Sequence, residues 1–168
     1  MGRGLAIVVM GVTGVGKTTI GRLLAARAGC PFVEGDDLHP AANVAKMSAG
    51  QPLDDADRLP WLTAIAREID LALAEGRTMV VACSALKRSY RQVLGGSDCR
   101  VIFVHLTGDP TLIASRIAGR KDHFMPPQLL ASQYATLESP DDLNFAVDAS
   151  PEVIVAAIEA ELGRRGIL

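Results

Sequence analysis

The sequence predicts an α/β fold of three layers: a five-stranded parallel sheet flanked by helices. Three observations carry this. Short apolar, β-branched runs alternate with longer amphipathic ones along the chain. A glycine-rich stretch sits where the first apolar run meets the first helical one. The 168 residues suit one domain with a proper core, since single domains commonly hold ~100–200 residues. We therefore expect residues 1–168 to form a single domain.

Leu5 to Met10 reads as a buried parallel strand, being short, apolar and β-branched. Lys17 to Ala28 reads as a helix, with apolar Ile20, Leu23 and Leu24 and a stop at Gly29. The second strand is expected over Cys30 to Gly35, followed by a long amphipathic helix from Pro60 to Leu73. Thr78 to Ser84 and Arg100 to Leu106 supply strands three and four. Pro110 to Arg120 is a helix opened by proline, and Pro127 to Leu137 is another. Asn144 to Ala149 is a weaker fifth strand, and Pro151 to Arg165 closes the chain as a helix. Two segments rich in charge, proline and histidine interrupt the alternation, roughly residues 39–58 and 119–127. In an open α/β sheet the ligand lies beyond the carboxyl ends of the strands, where both segments would fall.

Bulk properties narrow the partners. A net charge of −2 gives no case for a polyanion-binding surface, so nucleic acid is not expected. No stretch approaches the ~20 apolar residues of a membrane span. Arg3 and the apolar run after it look superficially like a secretory leader. The run is shorter than the ~7–15 residues such a leader needs and leads directly into the glycine loop. Cys30, Cys83 and Cys99 are odd in number and lack CxxC spacing. Disulfides and zinc are not expected, and a reducing cytoplasm fits.

Gly11 to Thr18, GVTGVGKT, satisfies GxxxxGK[ST] in full and lies between a predicted strand and a predicted helix. Glycines let the backbone curl so that successive N–H groups face phosphate oxygens, and the following helix adds its N-terminal dipole. The loop, Gly11, Val12, Thr13, Gly14, Val15, Gly16, Lys17, Thr18 and Thr19, is thus expected to hold a nucleoside triphosphate. Lys17 reaches the β- and γ-phosphates and Thr18 takes Mg²⁺. No guanine-reading NKxD occurs, and the third strand ends VVACS without an acid. The second carboxylate at the metal is expected from Glu34 or Asp36.

Beyond this loop the chain resembles the gluconate kinases, within the shikimate-kinase-like P-loop group. The resemblance rests on GVTGVGKTT (11–19), GDDLHP (35–40), NVAKMSAGQPLDDADRLPWL (43–62), CSALKRSYR (83–91), RKDHFMP (120–126) and LESP (137–140). These blocks span nearly the whole chain in the right order. The resemblance implies a P-loop kinase fold that transfers phosphate from ATP, with Mg²⁺, to the 6-hydroxyl of D-gluconate. It further implies a homodimer, a substrate-binding insertion over about 39–58 and a lid over about 116–127. The family often has Asp where this chain has Glu34, so Glu34 is expected to reach the metal through water.

The chemistry agrees with the resemblance. A sugar acid needs cations for its carboxylate and polar partners for its hydroxyls. Arg58 and Lys87 offer the first, and Asp36 and His39 the second. Asp36 follows the second strand and can accept the hydroxyl proton, as the kinase aspartate does. Arg116 and Arg120 lie one helical turn apart. Arg120 would neutralise charge on the transferring phosphoryl group, Arg116 would serve ATP, and Lys121 and His123 on the lid would meet either substrate, gluconate first among them. Plainer readings exist. Asp54, Asp55 or Asp57 can cap a helix with Arg58 merely solvated, Lys87 can be a surface lysine, and His39 can be structural. His105 and Trp61 read as packing residues. The rival functions are a kinase for another small acid or a nucleotide, and a nucleotide-dependent switch without turnover.

Overall fold

The computed structural model describes residues 2–119 and 127–168, without the side chain of Pro127. Strand β1 (Leu5–Met10) is buried at all six positions and forms the centre of the sheet. Its neighbours are β3 (Thr78–Ala82) and β4 (Val101–Thr107), with β2 (Phe32–Glu34) outside β3 and β5 (Asn144–Ala146) outside β4. All four pairings are parallel. Strands covered on both faces read as unbroken apolar runs, which is why β1 and β3 were legible.

Helices α1 (Lys17–Ala28), α2 (Ala41–Ser48), α3 (Asp55–Ala74) and α4 (Arg88–Val93) come from the first half of the chain. Helices α5 (Pro110–Ala118), α6 (Pro127–Thr136) and α7 (Pro151–Arg164) follow. One cluster of buried side chains joins β1, β3 and β4 to Ile20 and Leu24 of α1, Ile65 and Ile69 of α3, and Ile158 and Leu162 of α7.

The expected elements recur with corrections. β2 and β5 are three residues each, shorter than expected at both sheet edges. α3 begins five residues before Pro60, at Asp55. Asp54 and Asp57 form a capping box there, each side chain bonded to the other's backbone N–H. That cap supports an early start and leaves Pro60 inside the helix, where one backbone hydrogen bond is forgone. α2 lies within the segment read as an irregular insertion, and α4 within one left without an element. α5 spans Pro110–Ala118, and Arg120, expected at the end of this helix, lies outside the described residues.

The order β2-β3-β1-β4-β5 sends the chain to one side of β1 and later to the other. The crevice this creates opens beyond the carboxyl end of β1, where the glycine loop begins.

Candidate active site

The glycine loop is anchored from below. Val12 and Val15 bury their side chains in the core at 2% and 1% exposure, leaving only their backbone for a ligand. Gly11 has φ +147°, and a Cβ there would lie 2.8 Å from the Leu106 carbonyl oxygen, so no other residue fits. α1 starts directly at Lys17, with Thr18 and Thr19 in its first turn. Lys17 Nζ donates to the carbonyls of Gly11 and Val12, both at 3.0 Å, curling its ammonium over the loop. The Thr13 N–H donates to Oε1 of Gln133 on α6 at 2.7 Å.

β2 and β3 end beside this loop, with Glu34 in register with Ala82. The Thr18 hydroxyl donates to the Glu34 carboxylate in a short hydrogen bond. Two hard oxygen donors in contact at the loop fit Mg²⁺, which takes few protein oxygens and completes its shell with water and phosphate. Glu34 also accepts from the Asp36 N–H at 3.3 Å, capping a single 3₁₀ turn over Gly35–Leu38. This turn, directly after the strand, carries Asp36, as its place in the sequence predicts. A Cβ at Gly35 would lie 2.2 Å from the Ala82 carbonyl oxygen, so glycine lets the turn press against β3. Trp61 fixes the same point, since its Nε1 donates to the Gly35 carbonyl at 2.8 Å.

His39 closes the turn. Its ring stacks on Trp61 at 4.1 Å between centroids and 14° between planes. Its Nε2 stands 3.9 Å from Asp36 Oδ1. Burial, more than any neighbouring charge, lowers the His39 pKa. Trp61 is thus both the core aromatic expected and a wall of the site. Beneath the loop, burial pushes the Cys83 thiol up to about 12, so it supplies no nucleophile.

One cavity gathers Thr13, Lys17, Asp36, His39, Arg58 and Trp61, with Ser84, Ser132 and Gln133 among its other walls. Arg58 is 8% exposed, and its Nη1 donates to the neutral hydroxyl of Tyr90 at 2.8 Å. A buried guanidinium facing a cavity is matched to an anion. Lys87 does not line this cavity. Its Nζ donates to Asp55 Oδ1 at 2.9 Å, at the exposed start of α3. Arg116 likewise lies apart, donating to the Val147 carbonyl at 2.6 Å. Arg120, Lys121 and His123 lie outside the described residues. Ser132 and Gln133 are not singled out in the sequence, because no motif marks a side chain brought in from the distant α6; Ser84 lies within the quoted CSALKRSYR block, after β3, but is given no role there.

The sequence matches the family described as AAA domain over residues 7–140. A gluconokinase of Gluconobacter oxydans is 48% identical over 153 residues, covering 89% of this chain and 86% of that protein. The chain belongs to the gluconokinase family. A gluconokinase of Arabidopsis thaliana is 41% identical, covering 92% of this chain and 90% of its own. The crystal structure of a gluconokinase from Sinorhizobium meliloti superimposes with a TM-score of 0.87 at 44% identity, over 98% of this chain and 95% of that one. No helix among the described residues is long and apolar enough to cross a membrane.

Proposed function

We propose that the chain is an ATP-dependent kinase that phosphorylates D-gluconate at its 6-hydroxyl, giving 6-phospho-D-gluconate and ADP. The observation that carries this reading is the cavity that joins Lys17 of the glycine loop, Asp36 and the buried Arg58. The loop backbone and Lys17 hold the phosphates. Arg58 pairs with the sugar-acid carboxylate, and Asp36 orients the primary hydroxyl and takes its proton as it attacks the γ-phosphorus. The hydroxyl oxygen forms the new bond, the bond to the ADP oxygen breaks, and ADP leaves. Thr18 and Glu34 would hold Mg²⁺, which when bound neutralises charge on the transferring phosphate.

Arg120, Lys121 and His123 are assigned on sequence grounds to a lid over about 116–127 that excludes water. Arg116 is assigned to ATP on the same grounds. The chain is read as one catalytic domain that works in the cytoplasm, as three free cysteines suit. A homodimer is expected from family membership, and light scattering on the purified protein decides it.

A coupled ADP-release assay over gluconate, glucose, shikimate and nucleoside monophosphates tests the reading. Turnover should be specific to gluconate. Faster release with shikimate or a monophosphate names another kinase, and release with none of them marks a switch module.

A further inference from the structure

Asn43 on α2 is 3% exposed. Its Nδ2 donates to the Asp57 carbonyl at 2.8 Å. A backbone carbonyl only accepts, so the NH₂ end of the amide faces it. The same Nδ2 lies 3.2 Å from His39 Nδ1. An amide NH₂ has no lone pair to offer, so Nδ1 is the acceptor and carries no hydrogen. The neutral ring then carries its hydrogen on Nε2. The stack on Trp61 keeps the ring in this plane. Burial and the nearby Arg58 both favour the neutral form, against the pull of Asp36.

Nε2 and Asp36 Oδ1 stand 3.9 Å apart, beyond direct hydrogen bonding, and both residues line the cavity. We propose that Asn43 is a positioning residue that locks His39 as the Nε2–H tautomer, so that His39 and Asp36 form a matched donor and acceptor for one hydroxyl of the substrate. A hydroxyl both donates and accepts. It gives its hydrogen to Asp36 and takes one from Nε2–H, keeping its second lone pair for attack. His39 is therefore a donor and not the base. The identity of that hydroxyl rests on the kinase reading above, whereas the tautomer does not.

The test is a two-bond ¹H–¹⁵N correlation on protein labelled at histidine, which separates protonated from unprotonated ring nitrogens. His39→Gln identifies the His39 signals among the three histidines. Wild type should show Nδ1 unprotonated and Nε2 protonated at neutral pH. Asn43→Asp replaces the donor with an acceptor and should move the hydrogen to Nδ1. Asn43→Ala should give a mixture of tautomers. Both variants should lose about tenfold or more in gluconate kcat/KM, with the ATP KM unchanged. A wild-type ring protonated at Nδ1 overturns the proposal without any variant. So does an Asn43→Ala protein with the wild-type tautomer and wild-type kcat/KM. A wild type with the expected tautomer but no turnover of gluconate overturns the hydroxyl pairing and the kinase reading, while the tautomer still supports the lock.

Discussion

The hydroxyl of Tyr90 accepts a 2.8 Å hydrogen bond from Nη1 of Arg58 and donates a 2.5 Å bond to Oδ1 of Asp55. The same Asp55 oxygen accepts from Lys87. A single exposed carboxylate thus holds Lys87 directly and reaches Arg58 only through a phenol. The two cations offered to a sugar-acid carboxylate are not equivalent.

This asymmetry predicts unequal mutants. Arg58→Met removes the charge that lines the cavity and should lower gluconate kcat/KM mainly through KM. Truncating one partner of a buried charge pair costs about 2–5 kcal/mol, so the loss should be roughly 30-fold or more. Lys87→Met should do much less. Tyr90→Phe should fall between them, since Arg58 loses its acceptor but keeps its charge. Steady-state kinetics with gluconate and glucose, at saturating ATP, check the order. Equal losses at Arg58 and Lys87, or an unchanged gluconate-to-glucose ratio in Arg58→Met, would mean that the carboxylate binds elsewhere.

Asp36 should govern turnover more than binding. Asp36→Asn keeps the shape of the side chain but cannot accept a proton. A lost general base costs about 10²–10⁴-fold, and this should appear in kcat with gluconate KM little changed. If the ATP KM alone moves, Asp36 belongs to the metal shell and the base lies elsewhere.

The loop and helix behind β5 make a prediction about acid stability. Arg165 donates to both carboxylate oxygens of Asp142 at 2.5 and 2.7 Å, and also to Glu161. Its guanidinium holds Asp142 down to about 2, and Arg164 with Arg165 does the same for Glu161. Because the folded value is depressed, the stabilisation is present above the unfolded carboxylate pKa of about 3.9–4.3. It is lost as pH falls towards 2. Asp142→Asn should therefore lower Tm at neutral pH and at pH 5, and the gap to wild type should close in acid. Salt should shrink it too, because these groups are exposed. Thermal melts across that range check this. A gap independent of pH would show that the ion pair contributes nothing.

Much of this site was legible in the sequence because its chemistry is local. GVTGVGKT is one contiguous run, and a buried strand followed by glycines and Lys17 allows few other uses. Asp36 is visible from its place directly after the second strand, and Arg58 only from the longer block that carries the family resemblance. What escaped depends on distance. Helix α2 is two turns long and its buried side chain is the polar Asn43, which ties it to the start of α3, 14 residues on. The six residues of α4 are too few to set a period. The sequence pattern starts this helix at Pro60 while also offering Asp54, Asp55 or Asp57 as a cap, and the capping box of Asp54 and Asp57 sets the start at Asp55. Gln133 reaches Thr13 across 120 residues, which no local pattern reports. Lys87 was read from its place after a strand, but its direction is set by Asp55 on another helix.

The identity of the phosphorylated carbon decides whether the terminal hydroxyl sits at Asp36 and the carboxylate at Arg58. The protein, ATP, Mg²⁺ and D-gluconate are incubated, and the product is examined by ¹H–³¹P correlation. One phosphate ester is expected, with phosphorus coupled to the two methylene protons at carbon 6. Coupling to a methine proton would contradict the placing of the carboxylate at Arg58 and the terminal hydroxyl at Asp36, and release of free phosphate with no ester would contradict the transfer itself.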